Sequence, residues 1–169
     1  MTKYNKDQEY LCIINNIINS EEFQKMGKIR HHNTTRLDHL LKVSYHSYKV
    51  AKSLKLDYKS AAVGGLLHDF YNEEICECNK VKEKVKIFSS HPMEAVENSE
   101  KLFNLSDIEK NIIETHMFPI NYKIPKYAES WVVSFVDKVL SIGEFSKKLS
   151  YKFAYGFNLY LLFILNNLK

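Results

Sequence analysis

Two carboxylates stand where packing alone would not put them. Asp69 closes the apolar run Leu66-Leu67-His68-Asp69-Phe70, and Asp137 sits inside Trp131-Val132-Val133-Ser134-Phe135-Val136-Asp137-Lys138-Val139-Leu140. An ionised carboxylate among apolar neighbours is costly unless a metal ion, a basic side chain or water meets it. His39, His68, His91 and His116 offer one explanation for both. Imidazole together with carboxylate suits Mn, Fe, Zn, Ni or Co rather than calcium. The successive positions His39, His68-Asp69, His91, His116 and Asp137 lie more than twenty residues apart, so each comes from a different element. A helix bundle can gather such ligands in its core. The alternative for His68, Asp69 and Asp137 is a buried ion pair with lysine or arginine, and with 7 histidines in 169 residues the spacing alone does not decide between the two.

The elements that must position these residues read as helices. With 5 glycines and 3 prolines in the whole chain, turn punctuation is sparse, and the apolar spacing follows the helical period rather than alternation. Leu11, Ile14, Ile17 and Ile18 mark a first amphipathic helix. A second begins near Thr35 and carries Leu40, Val43, Val50 and Leu54 on one stripe. Lys59 to Phe70, dense in small and apolar residues, reads as a central helix. Each glycine costs a helix up to about 1 kcal/mol, so Gly64-Gly65 predicts close approach by a neighbour. Asn72 to Ser90 has no clean period and reads as a long connection, with a short helix in its lysine-rich second half. Pro92 suits the first position of a helix, and Ser106 with Glu109 matches a capping box, so helices are expected to start near His91 and Ser106. Met117 to Lys126 reads as a loop and Ala128 to Lys147 as a strongly apolar helix.

A chain of 169 residues predicts a single domain, 1–169, with one main core. Hydrophobic residues at 45% and charged residues at 26% argue against disorder. A net charge of +4, from 24 basic and 20 acidic residues, is too mild to predict nucleic acid as a partner, while leaving room for a small anionic ligand. Cys12, Cys76 and Cys78 form neither a disulfide framework nor a complete zinc site and read as reduced thiols of a cytoplasmic protein. The polar start, Met1-Thr2-Lys3-Tyr4-Asn5-Lys6, has no export signal. Phe153 to Leu168 is the most apolar stretch, but polar residues interrupt it and it falls short of the roughly 20 residues a membrane span needs. It reads as a buried helix or a homodimer surface, and no membrane partner is expected.

In the order His39, His68-Asp69, His91, His116, Asp137 the chain resembles the HD-domain metal-dependent phosphohydrolase superfamily, in the variant with two additional histidines. Arg36-Leu37-Asp38-His39, Ala61-Ala62-Val63-Gly64-Gly65-Leu66-Leu67-His68-Asp69, His91-Pro92 and Asp137-Lys138 carry the likeness, within about residues 30 to 147. It is similar in particular to small stand-alone bacterial members, relatives of symmetrical dinucleoside-tetraphosphate hydrolases. The resemblance implies an all-α helical bundle with a dinuclear centre of two divalent metal ions, Fe or Mn foremost and Zn, Ni, Co or Mg as alternatives. His39, His68, Asp69 and Asp137 would hold the first ion, and Asp69 would bridge to a second held by His91 and His116. Phe70-Tyr71 departs from many relatives, which carry isoleucine or leucine and then glycine, so the adjoining loop should be shaped differently.

The reaction so implied is hydrolysis of a small phosphorylated substrate, a nucleotide or another phosphate ester or anhydride. Two ions about 3.5 to 4 Å apart can activate a shared water as hydroxide and clamp the attacking and leaving oxygens. Asp69, Arg36 and Lys138 are the catalytic candidates. Arg36, three residues before His39 on one helical face, could reach a phosphate oxygen, and Lys138 could supply a second positive charge. For both, supporting ion pairing is an equal alternative. Two other functions stand beside hydrolysis: a mixed-valent di-iron oxygenase, which a few members with the same ligands are, and a non-catalytic nucleotide sensor. His31 and His32 read as exposed loop residues, His46 as a core histidine, Glu73 and Glu74 as solvated loop acids, and Lys80 to Lys86 as an exposed face.

Overall fold

In the computed structural model, which describes residues 6–28, 30–31, 34–71 and 81–145, helices start where a short polar side chain takes up an unpaired amide. Asp7 accepts from the Tyr10 amide at the head of α1 (Gln8–Ile18), and Ser20 from Phe23 at α2 (Glu21–Gln24). Thr35 accepts from Asp38 at α3 (Arg36–Ser53), the start read from the sequence. Asp57 accepts from Lys59 and Ser60 at α4 (Tyr58–Leu67). After α5 (Val81–Leu102), Ser106 and Glu109 close the expected capping box on α6 (Asp107–Thr115). α7 (Ala128–Phe145) follows the Met117–Lys126 loop. The expected all-α fold is what forms. Among the described residues the β structure is one antiparallel pair of two-residue strands before α3, β1 (Arg30–His31) and β2 (Thr34–Thr35), with Arg30 opposite Thr35.

α4 is the central helix, as its composition predicts. It packs against α1, α3, α6 and α7. One apolar cluster joins it to α1, α3 and α5 through Tyr10, Ile14, Leu40, Leu66, Leu67 and Ala95. The other joins it to α3, α6 and α7 through Val43, Ala61, Ile112, Val133 and Val136. The glycines allow this crowding: a Cβ on Gly64 would lie 2.7 Å from Ile112 Cγ2, and one on Gly65 would lie 3.1 Å from Ser44 Cα. A buried hydroxyl chain crosses the same contact, with Tyr10 donating to Ser44 Oγ at 2.9 Å and Ser44 donating to the Ala62 carbonyl at 2.7 Å.

Several expectations change. His91 and Pro92 lie inside α5, because residues 81–90 are already helical. Proline there withholds its N–H and crowds the carbonyl four residues earlier, a local cost that the helix nonetheless carries. His46 is exposed rather than core. The buried side of α3 runs through Leu40, Val43, Ser47 and Ala51, leaving Val50 and Leu54 exposed. On α7, Val133 and Val136 face the core, while Trp131, Phe135 and Val139 are exposed. No helix of the described residues is long and apolar enough to cross a membrane. Cys12 is free and exposed. His32, Glu73, Glu74, Cys76, Cys78, Lys80 and the 153–168 stretch lie outside the described residues.

Candidate metal centre

The two central ligand candidates from helix ends owe their orientation to the helix ends themselves. His68 caps α4 and His116 caps α6. The last carbonyls of a helix have no amide to accept from. His68 Nδ1 donates to the Gly65 carbonyl at 2.8 Å, and His116 Nδ1 donates to the Ile113 carbonyl at 2.7 Å. A carbonyl can only accept, so each Nδ1 carries a ring proton, and in the neutral ring the lone pair lies on Nε2. Backbone anchoring of this kind fixes tautomer and ring plane together.

His39 comes from α3, Asp69 from the turn after α4, His91 from α5 and Asp137 from α7, and all six side chains are buried. Asp69 stands between two groups. His39, His68 and Asp69 can offer ligand atoms within 4.8 Å of one another, and so can Asp69, His91 and His116. Asp69 Oδ1 lies 3.2 Å from His91 Nε2 and 3.4 Å from His116 Nε2, while Oδ2 lies 3.8 Å from His68 Nε2. Asp137 Oδ1 faces the first group, 3.1 Å from His39 Nε2 and 3.5 Å from His68 Nε2.

These residues fit divalent ions. His68 Nε2 and Asp69 Oδ1 are buried and make no hydrogen bond, a costly arrangement for protein groups alone. An ion accepting their lone pairs would remove that cost, and the mixed nitrogen and oxygen donors suit first-row transition metals.

Protonation states agree. Burial pushes the Asp69 carboxyl up, but His68, His116 and His91 outweigh it and hold it well below the usual carboxylate range. Burial likewise acts on Asp137, and its contacts with His39 and His68 prevail in the same direction. Burial pushes His116 down, with Asp69 only partly opposing. Ionised carboxylates and a neutral imidazole are the forms that bind metal.

Arg36 and Lys138 meet other partners. Arg36 is fully buried; its Nη1 donates to the Tyr71 carbonyl, and its guanidinium carbon lies 4.0 Å from the Tyr71 ring centroid. Lys138 Nζ donates to the His116 carbonyl at 2.8 Å and to Ser134 Oγ at 2.6 Å. Burial lowers the Lys138 pKa, and Asp137 partly restores it. Sequence reasoning missed Ser134, which donates to the His116 carbonyl at 2.8 Å, and Ser141, which donates to Asp137 Oδ1 at 3.2 Å. A signal existed: Ser130, Ser134, Asp137, Lys138 and Ser141 form a polar stripe at helical spacing, with apolar residues between them.

In comparisons with known proteins, the family model described as HD domain matches residues 36–142, the span from the start of α3 into the last turns of α7. No curated protein and no solved structure gives a significant match.

Proposed function

As the chain belongs to the HD domain family, we propose that it is a metal-dependent phosphohydrolase with a dinuclear centre, acting on a nucleotide or another small phosphate ester or anhydride. The observation that carries this reading is the placement of Asp69 as a member common to both candidate ligand groups. His39, His68, Asp69 and Asp137 would hold one ion; Asp69, His91 and His116 would hold the other. Bound there, Fe, Mn or a similar divalent ion would acidify a coordinated water and neutralise charge building on phosphate oxygens.

The chain's own residues prepare that site. The carbonyls of Gly65 and Ile113 fix the planes of His68 and His116. Ser141 orients Asp137, and Lys138 with Ser134 secures the turn carrying His116. α1, packed on α4 outside the family match, is read as part of the same domain.

The test is release of phosphate or nucleotide from a panel of mononucleotides, dinucleoside polyphosphates and simple phosphomonoesters with Mn or ferrous iron added. Release that depends on metal and disappears in Asp69→Ala is the expected result. Silence across the panel, with two irons bound and oxygen consumed, would overturn it in favour of oxygen chemistry.

A further inference from the structure

The turn that carries Asp69 is clamped from two helices. It closes through Phe70 N on the Leu67 carbonyl and Tyr71 N on the Asp69 carbonyl, both at 3.0 Å. From α3, Arg36 donates to the Tyr71 carbonyl and lays its guanidinium 4.0 Å from the Tyr71 ring centroid. From α5, Asn98 Nδ2 approaches the Phe70 carbonyl at 3.4 Å. Arg36 and Tyr71 are both buried, where a cation over an aromatic ring interacts most strongly. The Tyr71 ring in turn packs against His91, with centroids 5.0 Å apart and planes 32° from parallel. His91 Nε2 meets His116 Nε2 at 3.0 Å and Asp69 Oδ1 at 3.2 Å.

We infer that Tyr71, locked by Arg36, is a positioning residue for His91: its ring sets the imidazole plane in which Nε2 shares a ligand position with Asp69 and His116. The inference rests on the dinuclear reading above. The ring that packs on His91 is delivered by a different segment, the turn that bears Asp69. Rotation of the imidazole about its Cβ–Cγ bond would swing Nε2 away from Asp69, and the neighbouring phenol ring resists that rotation. One residue pair thereby couples the turn bearing the shared carboxylate to the second ion's histidine.

The experiment titrates metal-free protein with manganese(II), following stepwise affinity by calorimetry and bound ions per chain by elemental analysis. Wild type is expected to bind two ions, and His91→Ala to lose one step. Tyr71→Phe, which keeps the ring, should match wild type. Tyr71→Leu, which keeps an apolar side chain without an aromatic face, should keep one step and weaken the other by about 10–100-fold, the usual effect of losing a group that orients a ligand. Thermal unfolding of each metal-free variant reports whether it folds; should Tyr71→Leu not fold, Arg36→Lys removes the planar stack while keeping the charge, with the same expectation. Tyr71→Leu (or that substitute) titrating like wild type while His91→Ala loses a step would overturn the positioning role, as would loss of the step in Tyr71→Phe. A wild-type chain binding a single ion would overturn the dinuclear reading itself.

Discussion

His39 Nε2 lies 3.1 Å from Asp137 Oδ1 across 98 positions of sequence, and His68 Nε2 reaches the same oxygen at 3.5 Å. Asp137 thus approaches two members of one candidate ligand group, whereas Asp69 belongs to both. Asp137→Ala should reduce bound manganese from two ions per chain to one, and Asp69→Ala should reduce it toward none. Elemental analysis after gel filtration checks this, with far-UV circular dichroism confirming helix content. Equal losses in the two variants would contradict the shared role of Asp69.

Acidification should destabilise the metal-free protein in two stages. His116 is pushed below its ordinary 6.5 by burial, with Asp69 partly opposing. The unfolded chain therefore takes that proton more readily, and stability falls as pH drops from 6.5 through the folded value. Asp69 and Asp137, with burial outweighed by their histidine neighbours, titrate below 3.8 when folded. Their contribution is complete above 3.8 and is lost as pH falls further. Urea midpoints between pH 8 and pH 3 measure the first stage and the onset of the second, and a midpoint unchanged from pH 8 to 5 would refute the first.

Gly64→Ala should destabilise the fold although alanine favours helix by about 1 kcal/mol. The new methyl would stand 2.7 Å from Ile112 Cγ2 and 2.8 Å from its Cβ. Overpacking of a closed core costs about 1–3 kcal/mol, which outweighs the propensity gain. A double-mutant cycle with Ile112→Ala should show positive coupling between the two sites. Additive effects would mean that the crowding lies elsewhere.

Lys138→Met tests where its charge acts. Its bonds to the His116 carbonyl and Ser134 predict a stability loss of roughly 1 kcal/mol and weaker binding of one manganese, with KM little changed. A raised KM with intact metal content would instead put the ammonium on the substrate.

Residue types and order already carried the chemistry. A carboxylate that ends an apolar run, and a second inside one, had to find partners, and histidines or basic side chains were the candidates. Local signals also held where the governing interactions span one turn: Thr35 and Ser106 cap the helices they precede, and Gly64-Gly65 admits the close neighbours it implied. Expectations failed where the outcome depended on distant partners. Pro92 is favoured at a helix start and costly in a helix interior, yet the residues before it are helical, an outcome that local preference does not reveal. His46 and Val50 read as buried by period, yet among the described residues nothing covers that side of α3. Arg36 and Lys138 are long cations whose reach covers many acceptors, and only the packing of α3 against the turn after α4, and of α7 against the end of α6, assigned them to Tyr71 and His116. Composition and spacing determined which groups could bind a metal, because that follows from covalent chemistry; tertiary structure alone decided which atoms share a position, because side-chain direction depends on what each helix packs against.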